Sequence, residues 1–247
     1  MLDAWFDLAL GGSCVRCQRP GRVLCPGCER ALPVAGRPVR PDPAPPGLAP
    51  AFAAGWYAEP LRSLVLAHKE HRAFALARPL GTVLAGVVRT ALGADGPAQG
   101  SVLVLVPVPS SRSVVRARGH DPVRRMVRVA ARVLRTDGHQ VQERPLLRQR
   151  SRPRDQAGLG ADERAANLDG VLTASVSEQR RLARSGQPVR VVLCDDVLTT
   201  GATAREAQRA LAAVGVPVAA IAALAATRKR ITGGDSSQVL PLCGGDG

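Results

Sequence analysis

Residues 189–207 read VRVVLCDDVLTTGATAREA: an apolar run, two adjacent carboxylates, a Thr-Thr-Gly-Ala-Thr turn and the start of a helix. The run at 189–194 lacks polar alternation, as expected of a parallel strand covered on both faces. A strand that ends in acids and turns straight into a helix builds the place where open α/β sheets bind ligands. The loop has what a phosphate needs. Gly201 allows close backbone approach, N–H groups at the helix N-terminus point outward, and Thr199, Thr200 and Thr203 add hydroxyl donors. Asp195 and Asp196 would repel that phosphate; they suit sugar hydroxyls, or a magnesium ion that screens a second anion. A Walker B strand has the same form, but it requires a glycine-rich loop ending in Gly-Lys-Ser/Thr, and neither Lys69 nor Lys229 lies in one.

Outward from this segment the chain alternates strand and helix. SVLVLVPV at 101–108 is a second continuous apolar run, and 216–224 a third. A short strand is expected at 52–57, a helix at 60–70 with proline in its first turn, and a further helix over 76–92. Asp121 caps a helix with Pro122 at its first position, and Val123, Met126, Val127, Ala130, Val133 and Leu134 form its apolar stripe. Arg124, Arg125, Arg128, Arg132 and Arg135 then form a solvated face. Residues 148–167, with Arg148, Arg150, Arg152 and Arg154 at alternate positions, read as a mobile loop. A helix over 203–214 is ended by Gly215, and the tail at 231–247 reads as disordered.

Cysteine spacing marks a second unit. Cys14, Cys17, Cys25 and Cys28 lie in SCVRCQRPGRVLCPGC, two CxxC pairs with a turn between them at Arg19-Pro20-Gly21. Such knuckles each present two thiolates to one tetrahedral zinc, and a closed four-sulfur site is structural, since it leaves no position for substrate. Two disulfides or unligated thiols are the competing arrangements, disfavoured in a reducing compartment. Cys194, inside its strand, reads as a small buried residue. Residues 33–50, rich in Pro and Gly, have no periodicity and are expected to be a linker. The domain boundaries that follow are 1–50 for the zinc-binding module and linker, 51–230 for the α/β domain, and 231–247 for the tail.

The 34 basic residues against 20 acidic ones give a formal charge of +14, which is compatible with an anionic partner; all but two of the basic residues are arginine, a skew that genome composition produces as readily as phosphate recognition does. Aromatics make up 2% of the chain, which argues against a nucleic-acid platform built by stacking bases on rings. The longest apolar stretch, 210–226, is broken by Gly215 and Pro217, and Asp3 and Asp7 interrupt the N-terminus. Neither a membrane insertion nor a signal peptide is expected, and the reading is cytoplasmic.

The strand with its DD and TTGAT resembles the phosphoribosyl-pyrophosphate (PRPP) motif of type I phosphoribosyltransferases. The chain from about residue 10 to 228 resembles the ComF family of competence-associated proteins, which joins a four-cysteine zinc module to a phosphoribosyltransferase-like domain. Further matches are Pro107-Val108-Pro109, Arg116-x-Arg118-Gly119, and the run Gln156, Leu159, Glu163, Arg164, Asn167 and Leu168. The resemblance implies a mainly parallel sheet flanked by helices, and transfer of ribose 5-phosphate from PRPP to an unidentified acceptor, or PRPP binding without turnover. Asp195 and Asp196 would be the catalytic pair and would bind the ribose hydroxyls. Thr199, Thr200, Gly201, Ala202 and Thr203 would hold the 5-phosphate. The loop from Pro107 through Val108 and Pro109 to Arg112 would approach the pyrophosphate with Mg2+, with Lys69 and Arg118 as cationic neighbours. Single-stranded DNA and a competence helicase are partners by the same resemblance. After Arg118-Gly119 the family usually continues with an aromatic, Asn and Gln, whereas this chain has His120, Asp121 and Pro122. His120 could act as a general base, although a single His at a helix start is more commonly a surface residue.

Overall fold

A computed structural model describes residues 12–71, 73–93, 96, 100–110, 115, 119–150, 170–184 and 186–228. Its elements in chain order are α1 (Pro26–Arg30), β1 (Arg37–Val39), β2 (Ala51–Trp56), α2 (Leu61–Glu70), a 3-10 turn (Phe74–Leu76), α3 (Ala77–Leu92), β3 (Val102–Pro107), α4 (Pro122–Thr136), β4 (Val141–Glu143), β5 (Leu147–Gln149), β6 (Leu172–Ala174), α5 (Val176–Ala183), β7 (Val189–Leu198), α6 (Ala202–Ala212) and β8 (Val218–Ala226).

The apolar runs become the middle of a six-stranded sheet ordered β1-β2-β8-β7-β3-β4, in which only the β1/β2 pair is antiparallel. Alternate side chains of each run enter two different cores, as a strand's period of two requires. Leu103, Leu105, Val192 and Cys194 join Leu84 of α3 and Met126 of α4 on one face. Val102, Val104, Val106, Val191 and Leu193 join Ala207 and Leu211 of α6 on the other, with Leu147 and Leu172 of the small β5/β6 sheet. The lack of polar alternation therefore reflects two buried faces. Asp121 caps α4 as expected, its Oδ1 accepting from the Arg124 N–H at 3.0 Å. Residues 74–92 are long and apolar enough to cross a membrane, but 72% of this stretch is buried in the protein, as in a core helix.

Several sequence expectations are corrected. The 33–50 segment is no featureless linker: β1 extends the main sheet, and the turns after it form a strap against α6. Arg205 Nε donates to the Pro46 carbonyl at 2.8 Å, Gln208 Nε2 to the Gly47 carbonyl at 2.8 Å, and the Ala49 N–H to Gln208 Oε1 at 2.9 Å. Three-residue strands and proline-rich turns carry no readable period, so only these distant partners order them. Ahead of β1 the Val34 carbonyl crosses Gly86 of α3 so closely that no Cβ fits there, and the Gly36 N–H donates to Thr90 Oγ1 at 2.9 Å.

The expected loop from 148 begins inside β5, which pairs with β6; residues 151–169 and 231–247 lie outside those described. Glu206 of α6, buried, ties α6 to β6. It accepts the Leu172 N–H at 3.0 Å and the guanidinium of Arg209 at 2.6 and 2.8 Å. Burial pushes this carboxyl up, but the Arg209 and Leu172 donors outweigh it and hold the group below its ordinary value.

Candidate functional site

β7 runs on through both acids to Leu198, rather than ending at Cys194. Its ladder to β8 persists because Asp195, Val197 and Leu198 pair with Ala223, Ala225 and Ala226. The carboxylates thus stand on a rigid strand and not on a loop. Asp196 shares the face of Cys194, which is the face α2 covers, so Lys69 near the end of α2 meets Asp196. Its Nζ stands 2.9 Å from the buried Oδ2, a charge contact that this oxygen has in place of a regular hydrogen bond.

Around the pair lies a cavity of about 220 Å³ lined by Lys69, Pro109, Ser110, Asp195, Asp196 and Thr203, with Val108, Val123 and Val197. Val123 belongs to the first turn of α4 and Thr203 to the first turn of α6, while Pro109 and Ser110 follow β3. The Val108 N–H donates to the Cys194 carbonyl at 2.9 Å, which holds that segment against β7. Six expected residues are thus brought together: Lys69, Val108, Pro109, Asp195, Asp196 and Thr203. Ser110 and Val123 were not singled out from sequence. The serine hydroxyl was hidden among others, and Val123 read as core. Pro107 instead lines an adjoining cavity of about 410 Å³ with Asp121, Arg124, Leu147 and Arg148; the two cavities share Pro109 and Ser110. Arg112 and Arg118 lie outside the described residues.

Within the Thr-Thr-Gly turn it is the glycine, not the threonines, that is placed differently from expectation. Thr199, Thr200 and Thr203 are exposed, with Thr200 Oγ1 accepting from the Ala202 N–H at 3.3 Å. Gly201, by contrast, is buried with φ +75°, and a Cβ on it would meet Leu48 and Pro41 at 3.1 Å and Pro45 at 3.3 Å. Its free space is filled by the strap, so the glycine serves the left-handed turn and the strap's close approach. The outward side of the turn carries the threonines.

Burial, then the neighbouring Asp196 charge, push the Asp195 carboxyl well above its ordinary range; the Asp196 N–H on Asp195 Oδ1 at 2.8 Å and the Lys69 ammonium oppose this. A carboxyl whose folded value is raised binds its proton more tightly when folded, so its contribution to stability declines as pH rises through the raised value. Asp195→Asn is therefore expected to raise Tm by a few degrees at neutral pH. The gain should shrink towards about pH 4, where wild type is protonated too. A Tm difference between the two proteins that does not vary with pH would show that Asp195 is not destabilised by its charge.

Cys194, fully buried, has its thiol pushed up by burial and by the Asp195 charge, in keeping with a packing role. His120 is not a surface residue. It is buried with its ring edge-on to Phe74, centroids 4.7 Å apart, and its Nε2 lies 3.3 Å from the His68 carbonyl. Nor does it line the cavity of the acids. His68 is buried likewise, which pulls its imidazole below the ordinary value.

The four N-terminal cysteines form a second candidate centre. The sulfurs of Cys14, Cys17, Cys25 and Cys28 all lie within 4.8 Å of one another, and none is in a disulfide. A tetrahedral thiolate site with metal–sulfur bonds of about 2.3 Å needs sulfurs about 3.8 Å apart. Cys17 and Cys25 Sγ stand 3.7 Å apart, so the donor set fits a metal such as zinc. Backbone donors favour the thiolate at Cys14 and Cys25, the Cys25 N–H donating to Cys14 Sγ at 3.4 Å, whereas burial and the neighbouring sulfurs push the Cys28 thiol up. Burial pushes the Cys14 thiol up, but the amides of Cys25, Cys17 and Arg16 outweigh it and take it down to about 6. Compared with known proteins, the chain matches no family model and no curated sequence.

Proposed function

We propose that this chain binds PRPP with Mg2+ at the Asp195–Asp196 cavity and transfers its ribose 5-phosphate to a nitrogen acceptor, as a ComF-like member of the phosphoribosyltransferases. The observation that carries the reading is one cavity uniting two carboxylates, an ammonium, a loop after β3 and the first turn of α6. It lies towards the C-terminal ends of parallel strands β3 and β7, where α/β sheets hold ligands. Asp195 and Asp196 accept hydrogen bonds from the ribose hydroxyls. The N–H groups that open α6 and the hydroxyls of Thr199, Thr200 and Thr203 take the 5-phosphate. Bound Mg2+ supplies positive charge to the pyrophosphate, and the carboxylate oxygens of the pair are the hard donors it prefers.

In the transfer the C1–O bond to pyrophosphate breaks as the acceptor nitrogen bonds C1. The pyrophosphate leaves with the electron pair, and the acceptor nitrogen gives up its proton to solvent water. Lys69, beside Asp196, offsets the charge that develops on the leaving group. The adjoining cavity reached past Pro109 and Ser110 has room for an acceptor. In the four-cysteine module the metal is zinc in this reading, and its role is structural.

Calorimetry with PRPP and MgCl2 tests the site. Asp195→Asn with Asp196→Asn removes ionised partners worth about 1.5 to 3 kcal/mol each. PRPP affinity should fall at least about tenfold, while weak binding of ribose 5-phosphate through the threonines persists. PRPP binding at wild-type strength by the double variant sinks the proposal. Pyrophosphate release in the presence of trial nitrogen acceptors separates turnover from binding alone.

A further inference from the structure

A groove of about 1010 Å³ runs between three elements remote in sequence: the cysteine module at Arg22–Leu24, the start of α3 at Phe74–Pro79, and the outer face of α4. Six arginines line it, Arg22, Arg78, Arg124, Arg125, Arg128 and Arg132, against two acids, Glu29 and Asp121. Asp121 is engaged in capping α4. Arg124 and Arg128 share Glu143, at 2.8 and 3.6 Å. Arg22, Arg78 and Arg132 are exposed and make no ion pair among the described residues. Like charges gathered from three elements repel one another unless an anionic partner lies between them. The floor is apolar, with Phe74 42% exposed and Arg125 stacked 4.4 Å from its ring centre. Of its two rings, Phe74 has one face already covered by Arg125 and His120 is buried edge-on to Phe74, so the groove offers no platform for successive bases. Its chemistry suits an acidic segment with large apolar side chains.

The chain itself supplies such a segment. Residues 1–11 read MLDAWFDLALG, with Asp3 and Asp7, no Lys or Arg, and five large apolar residues after Met1. At helical spacing Leu2, Trp5, Phe6 and Ala9 share one side, with Asp3 and Asp7 one turn apart on the flank. The segment joins the described structure at the groove's own wall. The Gly12 carbonyl accepts the Gly21 N–H at 2.8 Å, and Arg22 follows. A helix of this length spans about 16 Å, and the tether holds it at an effective concentration of order mM beside the arginines.

We propose that residues 1–11 dock in this groove, with Leu2, Trp5 and Phe6 on the Phe74 floor and Asp3 and Asp7 between Arg22, Arg78 and Arg132. Hydrogen–deuterium exchange on the full chain tests it. The amides of 1–11 should exchange at least about tenfold slower than random coil, at a rate independent of protein concentration. Arg78→Glu with Arg132→Glu should return them to the coil rate while exchange in β3, β7 and β8 is unchanged. Asp3→Arg with Asp7→Arg should do the same, and combining the two pairs should restore protection. Coil-rate exchange in the wild type, or protection that survives both charge reversals, overturns the proposal. So does protection that grows with protein concentration, which assigns the segment to a second copy. A (dT)20 oligonucleotide that protects the α4 face, with residues 1–11 at the coil rate throughout, assigns the groove to nucleic acid instead.

Discussion

Cys25→Ser is expected to lower the melting temperature of the entire chain in one cooperative step, rather than melt the cysteine module alone. Cys14, Leu24, Cys25, Cys28 and Leu32 belong to the same buried cluster as Leu84 of α3, Met126 of α4 and Leu105 of β3. The segment beyond α1 crosses α3 at Gly86 and continues into β1 of the main sheet. Losing the knuckles therefore exposes one side of the central core. On the proposed zinc assignment, such a structural site contributes roughly 10 kcal/mol or more of apparent free energy at neutral pH, against a total stability of about 5–15 kcal/mol for a domain. A chelator in excess should act in the same direction as the substitution. Thermal melting followed at 222 nm, with metal content measured on the same sample, decides the matter. A wild-type Tm with only a local change near residues 12–32 would mean that module and sheet are energetically separate.

What could be read from sequence divides by the range of the forces involved. β3, β7 and β8 were legible because each is a continuous apolar run whose burial on two faces leaves no alternation. The α4 cap was legible because Asp121 and Pro122 act within one turn. The four thiols were legible because knuckle spacing is local too. The strap was not, since its order comes from Arg205 and Gln208 far along the chain. His120 was misplaced for the same reason: His68 and Phe74, contributed by another stretch, bury it. Among the site residues, the Asp-Asp strand and the threonine turn were visible as a motif. The Lys69–Asp196 contact was not, because only the packing of α2 over that face of β7 creates it.

Gly201→Val separates two accounts of the same glycine. If the residue is needed because a phosphate approaches its backbone, the variant should lose PRPP and keep its stability. The structure gives a different expectation. A β-branched residue held in the left-handed region costs about 1–2 kcal/mol. Forcing its side chain against Pro41, Pro45 and Leu48 adds roughly 1–3 kcal/mol. A loss of about 2–5 kcal/mol in chemical denaturation is expected and, on the proposed function, loss of PRPP as the turn and its threonines shift. Gly201→Ala should lose less, because its Cβ alone meets contacts of 3.1 to 3.3 Å that a side chain can yield to. Pairing Gly201→Ala with Leu48→Ala tests the contact itself. The pair should be less destabilised than the sum of the single changes, since the shortened Leu48 makes room for the new methyl. Strict additivity would place the strap away from Gly201 and return the glycine to the phosphate alone.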